Sequence, residues 1–213
     1  MSEILYRDKW ILIANKPAGI PVHETKDPKR GNFTTSLQKE LNLDYIRTVN
    51  RLDLDTSGIV IFGLDETKNI EIDNLLKNSE KYYITIVKGK TIPSFKVESF
   101  LKDGNKKVTT VRSGGKKAIT EFKNLYYDEK ENYSILQAKL ITGRRHQIRI
   151  HLHENGNSIL GEKIYTDNPI AILRCLLHAF RIDFTNLNGE KISIRTSIPE
   201  DFKKYCKDFV DFL

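Results

Sequence analysis

Three short clusters hold side chains whose types and spacing suit chemistry. The densest, Asn50-Arg51-Leu52-Asp53-Leu54-Asp55-Thr56-Ser57-Gly58, ends where the apolar run Ile59-Val60-Ile61-Phe62 begins. Polar turn residues feeding into a buried strand set a carboxylate at the rim of a core, where it can act on a bound ligand. The same residues also suit an Asx- or Ser/Thr-type turn in which Asp53 is a solvated loop acid. A second cluster, Thr142-Gly143-Arg144-Arg145-His146-Gln147-Ile148-Arg149, gathers three guanidinium groups able to grip a carboxylate or phosphate bidentately, or to form a basic surface face. A third, Lys16-Pro17-Ala18-Gly19-Ile20-Pro21-Val22-His23, reads as a Pro/Gly turn with a capping histidine.

Other chemistries lack their residues. His151 and His153 would share one face of a strand near His146, but no Cys or Asp joins them and the surrounding arginines repel a cation, so no metal site is expected. Neither G-x-x-x-x-G-K-[ST] nor G-x-G-x-x-G occurs, and no G-x-S-x-G elbow serves a Ser-His-Asp hydrolase.

The elements that must position these clusters are interleaved strands and helices, with no repeat, low-complexity tract or linker, which predicts one α+β domain over residues 1–213. β-Branched and aromatic runs between turn signals predict strands at 10–14, 59–64, 82–87, 118–126, 133–141 and 191–196. In 82–87 strict alternation sets Tyr83, Thr85 and Val87 on one face and Tyr82, Ile84 and Ile86 on the other. Helices are predicted at 35–41, 66–79 and 199–209. Residues 103–117, with three glycines among lysines, read as an exposed, mobile hairpin tip. The segment 147–153 stays open: its alternation favours a strand, while Thr142 as N-cap and Gly156 as stop favour a helix.

With 213 residues the chain can bury a full core without staples, and two cysteines 31 positions apart read as reduced thiols of a cytoplasmic protein. No apolar run approaches a membrane span, and the N-terminus lacks the pattern of a secretory signal. Lys and Arg number 35 against 28 acids, a net charge of +7, at which a nucleic-acid partner deserves testing. The excess is concentrated at 101–123, with seven basic and two acidic residues, and at 142–153, with no acid.

Together and in this order, the clusters resemble the RluA-type family of pseudouridine synthases, from about Ile11 to Phe202. The matching pieces are Asn15 to His23, Arg51 to Gly58, Lys81-Tyr82-Tyr83-Ile84-Thr85-Ile86-Val87-Lys88-Gly89, Thr142 to Arg149, and Leu177-His178-Ala179. The resemblance implies an RNA uridine isomerase with a mixed, mainly antiparallel β-sheet split by an RNA-binding cleft, flanking helices, and 147–149 on a helix. It implies that Asp53 is the catalytic carboxylate, with Asp55 its near decoy, that Tyr83 is the active-site tyrosine, and that Arg149 pairs with the aspartate. Arg51 matches an arginine that fills the stack when the target base flips. Further RNA contacts are expected from Lys16, His23, Lys106, Lys107, Lys116, Lys117, Arg144, Arg145, His146 and Gln147. The implied partner is structured RNA, ribosomal or transfer, and the implied state a monomer without an N-terminal S4-like domain.

Pseudouridine formation is an isomerisation, so no cofactor is expected. One carboxylate beside the ribose suffices, comparable to the acid beside an anomeric carbon in glycoside chemistry. The chain departs from the family pattern at Asn50, where His is usual; at Glu162, where the pair Gly-Asp is usual; and at Thr185-Asn186, where His-Pro is common. None of these is expected to touch Asp53, Tyr83 or Arg149. Two other classes share these features: a catalytically inactive RNA-binding or ribosome-assembly protein of the same fold, and a nucleoside or glycoside hydrolase that would release free base.

Overall fold

The computed structural model describes residues 1–25, 30–167 and 172–206. In chain order the strands are β1 (Glu3–Arg7), β2 (Ile11–Lys16), β3 (Arg47–Thr48), β4 (Ser57–Gly63), β5 (Glu80–Lys88), β6 (Ser94–Asp103), β7 (Val108–Thr110), β8 (Lys116–Asp128), β9 (Tyr133–Leu140), β10 (Leu177–Thr185) and β11 (Lys191–Arg195). The helices are α1 (Phe33–Glu40), α2 (Asn69–Asn78), α3 (Gln147–Glu154) and α4 (Glu200–Lys203). This is an α+β protein whose sheet is mainly antiparallel, as expected. None of the described helices is long and apolar enough to cross a membrane.

The chain divides into two compact units, Met1–Lys81 with Ala179–Ser197, and Tyr82–His178 with Ile198–Leu213. In the first, the strands lie in the order β1-β2-β4-β10-β11, with β3 also on β4. Ile11, Leu12, Ile13 and Ala14 of β2 and all of β4 are buried, which is why both read as continuous apolar runs rather than alternating ones. The region predicted as one helix at 66–79 begins as a 3-10 turn, Glu66–Lys68, capped by the Asp65 carboxylate on the Thr67 amide at 2.9 Å, and continues as α2. Lys81 closes that helix by donating to the carbonyls of Leu76 and Ser79, at 2.8 and 2.9 Å, and burial holds its pKa below the usual lysine value.

In the second unit the order is β5-β9-β8-β6-β7. β6 was not anticipated, because its inward residues Phe95, Val97, Ser99 and Leu101 include a serine, and the outward Phe100 blurs the alternation. The region expected to be a mobile tip holds β7, where Val108 is buried against Leu101, Ala118 and Ile150; exposed turn residues remain at 104–107. The helix predicted at 199–209 is the single turn α4, and its last three positions lie outside the described residues.

The open segment at 147–153 is helical. Its stop is the expected glycine: Gly156 (φ +83°) sends its amide to the His153 carbonyl and Asn157 to that of Leu152, the two bonds of a Schellman motif. Its start is not Thr142. The residue before the first turn is His146, left-handed at φ +52° with no side-chain cap. Thr142 instead accepts from the Ile119 amide and donates to the Gln147 side chain, both at 2.8 Å.

Candidate active site

Within the first unit, the loop carrying Asp53 is held from below by Lys16. That lysine is fully buried, and its ammonium donates to the carbonyls of Pro17 (2.8 Å), Ile20 (2.9 Å) and Leu54 (3.3 Å). The Gly19 amide donates to the same Leu54 carbonyl at 2.9 Å. The two motifs are therefore sewn together through the residue next to Asp53, and Lys16 serves this purpose rather than the RNA contact expected of it.

From Asp53 the chain turns, the Thr56 amide donating to the Asp53 carbonyl at 3.1 Å. Leu52, Thr56 and Ser57 are buried while Asp53 and Asp55 are half-exposed and Arg51 exposed, so the turn anchors itself by its uncharged residues and presents its charges. Gly58 makes the entry to β4 possible: at φ +113°, a Cβ there would lie 2.2 Å from the Ala179 carbonyl oxygen. Asn50, the departure preceding Arg51, accepts from the Ile61 amide at 2.7 Å and so ties the loop to β4. His23 is exposed, and its pKa is lowered by partial burial and then by the charge of Arg51.

Within the second unit, β5 is buried from Tyr82 to Val87. Tyr83 is 8% exposed, and Tyr82, on the opposite face, has the Lys139 ammonium 5.4 Å from its ring centre. Arg149 projects from α3, where it is buried, and its guanidinium meets Glu162 squarely: Nε donates to one carboxylate oxygen at 2.7 Å and Nη2 to the other at 2.8 Å. The expectation that Glu162 would touch none of the three key residues is thereby overturned. Burial alone would raise the Glu162 pKa, but the bonds and charge of Arg149, helped by the Ile164 and Tyr165 amides, hold it below the usual carboxylate value. The Tyr165 ring lies 5.7 Å from the guanidinium carbon of Arg149.

The 142–147 segment is tied down by Gln147, buried at 2%. Its carboxamide donates to the Ile119 carbonyl and Thr120 hydroxyl, and accepts from the Thr142 hydroxyl and Arg144 amide. That role, not RNA contact, uses its amide. His146 Nδ1 bonds the Tyr165 hydroxyl at 2.9 Å, which offsets part of the roughly 1–2 kcal/mol cost of a left-handed non-glycine residue. His151 and His153 point to different faces of α3, each bonded to hydroxyls: His151 to Ser99 and Thr120, His153 to Ser158.

The basic cluster is organised by its arginines. Arg145 donates to the carbonyls of Gly104 (2.8 Å) and Lys106 (3.1 Å), and Arg144 to that of Lys117 (3.0 Å). Lys106, Lys107 and Lys116 are exposed, and Lys117 pairs with Glu98 at 2.6 Å. The residues missed from sequence are Glu162 and Tyr165. A single acid after the apolar run Ile159-Leu160-Gly161 was the available signal for the first.

The model of the RNA pseudouridylate synthase family matches residues 10–154. Over 99% of its length the chain is 34% identical to the ribosomal large subunit pseudouridine synthase D of Borreliella burgdorferi, covering 67% of that protein. It is 30% identical to the uncharacterized RNA pseudouridine synthase YhcT of Bacillus subtilis, over 97% of the chain and 72% of the relative. Among solved structures, the human RNA pseudouridylate synthase domain containing 4 superposes with a TM-score of 0.79 at 20% identity, over 96% of this chain and 92% of that one, a likeness of fold. With the motifs around Asp53, Tyr83 and Arg149 inside or beside these matches, the chain belongs to the RNA pseudouridylate synthase family.

Proposed function

We propose that the chain isomerises specific uridines of structured RNA to pseudouridine, with Asp53 as its catalytic carboxylate. The single observation that carries this reading is the Asp53–Thr56 turn: sewn to the buried Lys16 through Leu54, and bonded from the Thr56 amide to the Asp53 carbonyl, it holds the half-exposed Asp53 on a fixed base, with Asp55 half-exposed beside it. In the reaction the N1–C1′ bond breaks, the uracil turns and a C5–C1′ bond forms. N1 gains a proton and C5 loses one, so atoms and electrons balance without cofactor. The Asp53 carboxylate acts at the ribose. The Tyr83 ring offers the detached uracil a stacking partner worth about 1–3 kcal/mol that does not fix its rotation, and Arg149 is the proposed cationic partner in the reaction. The target uridine must be extruded, at a few kcal/mol, with Arg51 filling the gap and the lysines at 106, 107, 116 and 117 and Arg144 and Arg145 holding phosphates. Ribosomal RNA is the first substrate to test, since relatives carry that name; transfer RNA is the second.

The test is tritium release from RNA labelled with 5-tritiated uridine. Asp53→Asn is expected to bind RNA yet release nothing, while Asp55→Asn keeps substantial activity. Equal loss in both variants would refute a single catalytic carboxylate. Product with unchanged mass separates isomerisation from a hydrolase that frees uracil, and absence of turnover in the unaltered chain would leave only RNA binding.

A further inference from the structure

Glu162 is an acid with an unusual number of partners. Its side chain is 1% exposed, and one oxygen accepts from the amides of Lys163 (2.9 Å) and Ile164 (2.7 Å) as well as from Arg149 Nη2. The other oxygen takes Arg149 Nε and lies 3.8 Å from the Cys175 thiol. The turn presenting it is rigid: Gly161 sits at φ +79°, and a Cβ there would lie 1.9 Å from the Arg174 carbonyl oxygen. Arg174 is itself held by Asp201 through two bonds of 2.5 and 2.9 Å.

Stability is a weak reason for such a pair, because an apolar replacement of a buried ion pair is often neutral or stabilising. Orientation is a better one. A carboxylate gripping both Nε and Nη2 removes rotation about the end of the arginine, so the direction of its remaining N–H donors is set by the Glu162 turn and not by α3 alone. We infer that Glu162 is a positioning residue for Arg149, fixing the guanidinium in the orientation in which it serves the isomerisation. This rests on the proposed role of Arg149 in turnover and extends it to a residue at which this chain departs from the family pattern.

The experiment is a double-mutant cycle under single-turnover conditions, with the full chain in excess over total RNA from cells lacking it, labelled with 5-tritiated uridine. Rates are taken well below the melting temperature of the least stable variant. Glu162→Gln is expected to lower the maximal rate about 10- to 100-fold, with the protein concentration at half-maximal rate changed less than about 2-fold. On an Arg149→Met background the same substitution should have almost no further effect, because the two act as one unit. A full additional loss in the double variant, or a Glu162→Gln rate equal to that of the unaltered chain, overturns the inference. If Arg149→Met alone turns over normally, the assigned role of Arg149 has failed, and the inference with it, by a distinguishable result. Should Glu162→Gln not fold, the cycle is run with Glu162→Asp, which keeps the charge but withdraws it by one methylene. A smaller drop that vanishes on the Arg149→Met background supports the inference, and an additive one refutes it.

Discussion

Replacing Lys16 by methionine keeps the volume of a fully buried side chain and deletes only its ammonium. Three carbonyls lose a donor, but that of Leu54 retains the Gly19 amide, so those of Pro17 and Ile20 lose most. Leaving a buried acceptor unsatisfied costs about 1–3 kcal/mol, hence about 2–6 kcal/mol for two. Against this, the variant no longer desolvates an ammonium, which recovers part of that sum. A net destabilisation of about 3 kcal/mol would lower the melting temperature by about 6–12 °C for a chain of this size. Calorimetry measures the shift, and tritium release measured well below the lower transition reports on the Asp53 turn. We expect turnover to fall at least about 10-fold in protein that is fully folded, since displacement of a positioning element by 1 Å costs about 100-fold. A methionine variant that melts within about 2 °C of the original and turns over normally would refute the idea that the lysine cage positions the turn.

Further outcomes are expected elsewhere. Gly58→Ala, forced to φ +113° with its Cβ 2.2 Å from the Ala179 oxygen, should prevent accumulation of folded protein; a normal melt would contradict the close approach. Burial lowers the His151 pKa to about 4 in the folded protein, against 6.5 unfolded. The unfolded chain therefore takes up the proton first. Stability from keeping this imidazole neutral is fully present above pH 6.5 and falls toward pH 4, by up to about 3 kcal/mol. Denaturant titrations across that range should show the slope, and His151→Gln should flatten it. The lowered pKa of Glu162 adds a loss only below its ordinary value of 4.5. Arg145→Ala should release the 104–107 turn, read as faster exchange of the Gly104 amide, which donates to the Lys107 carbonyl, and Lys106→Ala with Lys107→Ala should reduce the slope of log affinity against log salt by about 0.7–0.9 per lost phosphate contact. An unchanged slope would remove those lysines from the RNA surface.

Local patterns determined a good deal by themselves. The runs at 10–14 and 59–64 announced β2 and β4, the alternation at 82–87 announced β5, and Gly156 marked the end of α3, because each depends on period or on backbone freedom at one position. The motifs in their order also pointed to the family that the comparisons show. Tertiary structure decided what no window contains. Alternation at 147–153 favoured a strand, but packing of Ile148, Ile150 and Leu152 with His151 between hydroxyls of β6 and β8 made a helix. β7 exists because Val108 finds a buried niche that Leu101 and Ala118 of the flanking strands form with Ile150 of α3, a residue well beyond any local window. Lys16 and Gln147 looked like surface ligands, yet both face inward, since carbonyls and hydroxyls from other segments satisfy them there. Residue type states what a side chain is able to bond; whether Arg149 meets Glu162 is set by the course of the chain between them, and composition and spacing carry no record of that path.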